Sequence, residues 1–290
     1  MHIHDLDVSK CQKEKIGVSY SGGANRGIVH LGIAKAFIHL GIKPGFIVGV
    51  SSGSIAAAIH AFNPDNFDTI SLTTSIIKKL KRADFGLSIP QIVIRVLKER
   101  LNLQSLGDLS GFKKIVAENI PFKSFAEAKV PFAIEAANRL NSQQTWFEEG
   151  PVIEAMIASS SLPVAFPPYK INSELYVDGG VTDGLPLFKL AEEGCGTIVA
   201  INLGYAGETR EPPKNLLENL FGSIDIALYQ SDRYEVALVK ALYPDLNIIE
   251  VRPEVAFDLP PFSFTPEKID PLVQEAFEKS VEILKPQFKL

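Results

Sequence analysis

Phe46-Ile47-Val48-Gly49-Val50-Ser51-Ser52-Gly53-Ser54-Ile55-Ala56-Ala57-Ala58-Ile59 changes character at one point. Up to Val50 the run is apolar and of strand length. From Ser52 to Phe62 it is small and aliphatic, a helix that Asn63-Pro64 stops, because the residue before a proline is pushed out of helical conformation. A serine held between a buried strand and a helix, with glycine two before and two after it, is the setting of a nucleophile elbow. The sharp turn projects the Ser51 oxygen from the sheet edge. Gly49 and Gly53 let strand and helix approach, and the N–H after the serine, at the helix N-terminus, can face a developing oxyanion. The bland alternative is a glycine-rich turn in which Ser51 or Ser52 only caps the helix.

The stretch upstream repeats the pattern. Ile16–Tyr20 reads as a buried strand, Ser21-Gly22-Gly23-Ala24-Asn25-Arg26-Gly27 as a turn, and Gly27–Leu40 as a helix ended by Gly41 and Pro44. Consecutive glycines there expose backbone N–H groups to an anion. A dinucleotide fingerprint would need glycine where Ala24 stands, and an acidic ribose partner is missing from the next strand, which ends Val48-Gly49-Val50. An oxyanion loop beside the serine fits better, since both loops leave neighbouring strands at one sheet edge. Strands are also expected at 130–137, 143–148, 175–177, 197–203 and 247–251. A C-terminal amphipathic helix carries Ile269, Leu272, Val273, Ala276, Phe277 and Leu284. Alternation of this kind predicts a parallel-rich sheet between helix layers.

Residues 63 to about 125 break the alternation. Between Lys78 and Arg100 stand seven basic residues (Lys78, Lys79, Lys81, Arg82, Arg95, Lys98, Arg100) against two acidic ones, Asp84 and Glu99. Apolar residues interleave them: Ile76, Ile77 and Leu80, then Ile89, Ile92, Val93, Val96 and Leu97. A basic amphipathic helix pair is expected, either a solvated face packed over the core or a contact with an anionic lipid surface through 76–100.

The 290 residues suffice for one large α/β domain, and 46% hydrophobic with 22% charged residues excludes general disorder. A net charge of −5 speaks against nucleic-acid binding. Cys11 and Cys195 read as reduced thiols. Neither a membrane span nor a signal peptide is visible, so a cytoplasmic protein is expected, with peripheral membrane contact through the basic segment. Metal-ligating spacings are missing, and no cofactor is expected.

A serine nucleophile needs a base. The histidines are His2, His4, His30, His39 and His60, with none later in the chain. His60 shares the elbow helix some nine residues on, more than about 10 Å from Ser51 at roughly 1.5 Å per residue. All five therefore read as structural or surface residues, whereas an α/β-hydrolase places its catalytic histidine late. The candidate base is Asp178, in Leu175-Tyr176-Val177-Asp178-Gly179-Gly180, where a strand enters a Gly-Gly turn. Asp183 is its rival, and an ordinary Asp-Gly-Gly turn is the bland reading.

In order and spacing, Gly22-Gly23-Ala24-Asn25-Arg26-Gly27, Gly49-Val50-Ser51-Ser52-Gly53 and Asp178-Gly179-Gly180 resemble the patatin-like phospholipases. Ala158-Ser159-Ser160-Ser161-Leu162-Pro163 with Phe166-Pro167-Pro168 resembles the family's segment before its aspartate. The resemblance spans residues 16 to about 190. It implies a three-layer α/β/α sandwich with a mainly parallel sheet. It implies Ser51 as nucleophile, Asp178 as base, and the N–H groups of Gly22, Gly23 and Ala24 as oxyanion hole, with Arg26 organising the loop. The implied activity is hydrolysis of lipid acyl esters through an acyl-enzyme. An acyltransferase with the same dyad, or a catalytically silent lipid-binding regulator, is the alternative. Residues 1–290 are then expected to form a single domain, with 63 to about 125 a helical cap or lid inserted after the nucleophile helix. The chain departs from the family at Ala24, at Val164-Ala165 and at Asp183-Gly184, the first two being positions where glycine is common.

Overall fold

Strand β2 (Phe46–Val50) is buried along its whole length, as an unbroken apolar run must be when both sheet faces are covered. Its side chains alternate: Phe46 and Val48 join one core cluster, Ile47 the other. In this computed structural model, residues 12–204, 212–214, 216–256, 259 and 262–290 are described. Cys11, His2 and His4 lie outside them.

β2 is the centre of an eight-stranded sheet. On one side lie β1 (Gln12–Tyr20), β7 (Cys195–Ile201) and β8 (Asn247–Val251), all parallel. On the other lies β3 (Phe132–Asn138), also parallel to β2. Beyond it the sheet turns antiparallel, through β4 (Gln144–Phe147), β6 (Glu174–Asp178) and β5 (Tyr169–Ile171).

Helices cover both faces, giving three layers. Helices α1 (Ile28–Leu40), α2 (Ser52–Phe62), α6 (Val152–Ser159) and α9 (Pro266–Gln287) contribute to the larger core. α1 and α9 touch almost backbone to backbone: a Cβ on Gly32 would come within 2.3 Å of the Val273 carbonyl oxygen. The opposite face is closed by α7 (Phe188–Glu192) and α8 (Leu216–Leu242), whose Leu190 and Val239, with Tyr243 just beyond α8, pack with Phe46, Val48 and Ile198.

β3 has an unusual pairing. Glu135 faces Val50 of β2 on one edge and Trp146 of β4 on the other. One residue on, Ala136 again faces β4 at Thr145, but its other partner is now Asp178 of β6. One edge of β3 is thus shared, with β2 ending where antiparallel β6 takes over. The last residues of the two strands are brought nose to nose, and Ser51 and Asp178 stand there.

The stretch between α2 and β3 contains α3 (Asp68–Ile77), α4 (Ile89–Glu99) and α5 (Ser110–Asn119). The expected basic helix pair is corrected here. Lys78–Lys81 form the connection after α3 and Arg82 opens a short 3-10 helix, Arg82–Phe85, so only α4 of the basic segment is an α-helix. Much of the stretch is built into the core. Ile70, Ile76, Leu80 and Phe112 are buried, and Phe85 stacks on Phe112 with ring centroids 5.1 Å apart. Leu106 and Gly107 donate backbone hydrogen bonds to Val164 and Ala165. Lys113 pairs with Glu154 at 2.6 Å, which ties α5 to α6. No helix among the described residues is long and apolar enough to cross a membrane.

Candidate active site

Ser51 sits between β2 and α2 at φ 54°, ψ −127°, a conformation that a side chain adopts only when its surroundings impose it. The surroundings are crowded. A Cβ on Gly53 would lie 2.2 Å from the Tyr20 carbonyl oxygen, and one on Gly49 2.4 Å from that of Gly53. The Ser51 N–H donates to Ser159 Oγ at 2.8 Å, and its carbonyl accepts from Ser54 Oγ at 2.6 Å. The turn is therefore gripped from α2 and from α6.

Ser51 Oγ donates to Asp178 Oδ2 at 2.6 Å. The other carboxylate oxygen accepts the Gly180 N–H at 2.9 Å, and the Asp178 N–H donates to the Ser161 carbonyl at 3.0 Å. The carboxyl group is thus aimed from both ends. Asp178 is 3% exposed. Burial pushes its pKa up to about 6, against the hydrogen bonds from Ser51 and Gly180 that favour the carboxylate. The rival, Asp183, is engaged elsewhere. It accepts the Leu185 N–H at 3.0 Å, and its carboxyl is pushed well up by burial and by the neighbouring Glu235 and Glu135. A cleft of about 260 Å³, lined by Asp108, Leu109, Lys113, Ser161, Pro167 and Tyr169, borders the Ser161 support of Asp178.

The Gly22–Gly27 loop leaves β1 beside this pair. Ser21 anchors it: its N–H donates to Ile201, its Oγ accepts from Leu203, and its carbonyl accepts from His30 Nε2 at 2.8 Å. Because a carbonyl only accepts, His30 carries its proton on Nε2. The Gly22 N–H donates to the Gly184 carbonyl at 3.1 Å. That bond corrects the expectation of three loop donors: Gly22 has spent its N–H on fixing the loop. Gly23 and Ala24 open a short 3-10 turn, Ala24–Gly27, where the helix offers their N–H groups no carbonyl. Ser52, first residue of α2, is in the same position. Ala24 has φ 49° and Val164 φ 72°. Both places where glycine would be common hold a left-handed backbone, and this chain occupies them with side chains.

Arg26 also differs from its expected part. Its side chain is exposed, and its contribution is the backbone N–H that closes the turn on Gly23. The side chain that ties the loop down is buried Asn25, which donates to the Ser263 carbonyl at 3.2 Å. Gly27 provides clearance, since a Cβ there would lie 2.6 Å from that of Ser52. Gly179 does the same beneath Asp178, against the Glu135 carbonyl and Val50.

The three described histidines are placed as scaffolding. His60 Nδ1 lies 2.8 Å from the Tyr20 hydroxyl in the core, and burial lowers its pKa to about 3. His30, equally buried, is lowered to about 4. His39 packs edge-on against Phe277. Sequence reasoning passed over Glu135. It lies wholly buried in β3, adjacent to Val50, with its Oε1 accepting from Thr182 Oγ1 at 2.8 Å. Burial and the nearby Glu235 and Asp178 keep its carboxyl raised. A charged residue inside the apolar run Phe132–Ala137 was the available signal. Among the described residues no group of three or more His, Cys, Asp or Glu side chains could hold a metal ion.

A serine bonded to a buried aspartate, beside a glycine-containing loop, is joined by a match to a family profile. Residues 18–191 match the profile of the patatin-like phospholipases. The chain belongs to the patatin-like phospholipase family. It is similar to an uncharacterized NTE family protein of Mycobacterium tuberculosis, 26% identical over 216 residues, covering 73% of this chain and 56% of that protein. It is likewise similar to Lysophospholipase NTE1 of Candida albicans, 26% identical over 212 residues, covering 72% of this chain and 14% of that protein. The similarity thus spans a little over half of the mycobacterial relative and about one-seventh of the yeast one. Among solved structures, VipD from Legionella pneumophila superposes with a TM-score of 0.47 at 14% identity, covering 95% of this chain and 67% of that one.

Proposed function

We propose that this patatin-like protein hydrolyses lipid acyl esters with a Ser51–Asp178 dyad. The observation that carries the reading is the 2.6 Å hydrogen bond from Ser51 Oγ to a buried carboxylate. Above pH 6 Asp178 is ionised and accepts the Ser51 proton as the oxygen attacks the ester carbonyl. The N–H groups of Gly23, Ala24 and Ser52 receive the oxyanion. Collapse of the tetrahedral intermediate expels the alcohol, which takes the proton from Asp178, and leaves the acyl group on Ser51. Water then loses a proton to Asp178, attacks the acyl-enzyme and releases the fatty acid, and Ser51 recovers its proton.

The membership of the family and the name of the Candida relative support a lipid substrate. Hydrolysis of a short-chain nitrophenyl ester by wild type, Ser51→Ala and Asp178→Asn tests the reading. Both variants are expected to lose at least about 10³-fold in kcat/KM, as for other members of nucleophile–base pairs. Full activity in Asp178→Asn would move the base elsewhere. Supplying an alcohol or lysolipid acceptor in the same assay separates hydrolysis from acyl transfer.

A further inference from the structure

Helix α4 turns most of its apolar arc outward. At about 100° per residue, Ile92, Val96, Ile89, Val93, Leu97 and Ile94 fill one continuous arc of Ile89–Glu99, and Gln91, Arg95, Lys98 and Glu99 fill the rest. A helix on a soluble domain buries its apolar arc. Here the body is met by the half-buried edge of Ile92, Arg95 and Glu99: Arg95 bonds Asp108 at 2.6 Å, and exposed Gln91 Nε2 donates to the Ala83 carbonyl at 3.2 Å, while Ile89, Val93, Ile94, Val96 and Leu97 face outward. No residue of α4 is fully buried. Ile89, Leu97 and Ile94 are 79%, 69% and 63% exposed. A contiguous outward apolar face of this kind marks a surface that something else covers.

We infer that α4 lies in the interface of an anionic lipid surface, apolar arc down, and so holds the protein on the surface that carries its substrate. Charge selects this occupant. Exposed Lys81 and Arg82 precede the helix, exposed Lys98 borders the apolar arc, and exposed Arg100 ends it. The chain as a whole carries −5, so this concentration of cations on one exposed element is local. Apolar insertion flanked by cations is the combination that phosphate-bearing lipid layers bind. The inference deepens the hydrolase reading and rests on it only for the role of the docking. The helix also reaches the site's surroundings, because Asp108, which Arg95 grips, lines the cleft bordered by Ser161.

The test is co-sedimentation of the full chain with phosphatidylcholine vesicles with and without phosphatidylglycerol. Wild type is expected to partition onto the phosphatidylglycerol vesicles. The combined variant Ile89→Ser, Ile94→Ser, Leu97→Ser is expected to lose about tenfold or more of that partition. Lys81→Glu with Lys98→Glu should lose the preference for the anionic lipid. Both variants keep the wild-type melting temperature and short-ester turnover, because the substituted side chains are exposed and none belongs to the dyad or to the loop beside it. Equal partition of wild type and the serine variant overturns the inference. So does a serine variant that splits a wild-type dimer in light scattering while its vesicle binding is unchanged. Predicted partition without ester turnover in wild type would leave the docking standing and remove the hydrolase reading instead.

Discussion

Asp178 carries a conflict between stability and chemistry. Its carboxyl titrates near 6 in the folded protein against an ordinary value of 3.8. A raised acid means the folded state holds its proton longer, so stability is lost as pH rises from about 4 through 6, by up to about 3 kcal/mol. Asp178→Asn removes that cost. In urea melts the variant should gain on wild type across this window and keep a constant advantage above it, while turnover collapses. In wild type, kcat/KM should rise with pH to a plateau with a midpoint near 6. A profile flat from pH 5 to 8 would contradict the assignment. At Ala24, φ 49° disfavours any side chain. Ala24→Gly should keep activity and gain up to about 1 kcal/mol in a thermal melt, since left-handed alanine costs more than glycine's extra freedom. Ala24→Pro, locked near φ −65°, should abolish turnover. His60→Leu should leave turnover per folded molecule unchanged and cost about 1–3 kcal/mol, because the Tyr20 hydroxyl loses its buried partner.

Elements were legible in the sequence where the signal is local. The buried strand Phe46–Val50, the elbow and the helix to Phe62 stand where the apolar run and the small residues put them. The loop after Tyr20 was legible as a turn between strand and helix, but not the loss of the Gly22 N–H to Gly184, a partner far along the chain. Which of Asp178 and Asp183 meets Ser51 could not be told by local pattern, because β3 sets it: its shared edge delivers the end of β6 to the end of β2. Nor could periodicity say which way α4 faces: an amphipathic helix reads the same whichever arc meets the body. The elbow offers a test at this scale. Gly53→Ala presses a methyl group against the Tyr20 and Ser21 carbonyls, backbone atoms that cannot swing aside. It should cost about 1–3 kcal/mol in denaturant melts and a larger share of turnover, since it displaces the loop that holds Gly23.

For the whole molecule, the three layers act as a clamp around one point of the sheet edge. β1 and β2 deliver the loop and the serine, β6 delivers the aspartate, and α6 holds the turn through Ser159. Buried His30 and His60 set an acid limit on that clamp. Their lowered pKa values mean the unfolded chain takes up protons first, so the stability they contribute is present above 6.5 and is lost as pH falls toward about 4 and 3. In the proposed mechanism Asp178 is the base and backbone N–H groups hold the oxyanion, so turnover is expected to survive a chelator unchanged. The central claim is that the chemistry passes through Ser51. Labelling with a fluorophosphonate, followed by peptide mapping, tests it most directly. A single adduct on Ser51, absent from Ser51→Ala and much slower to form in Asp178→Asn, is the predicted result. Labelling that survives Ser51→Ala undiminished would contradict it.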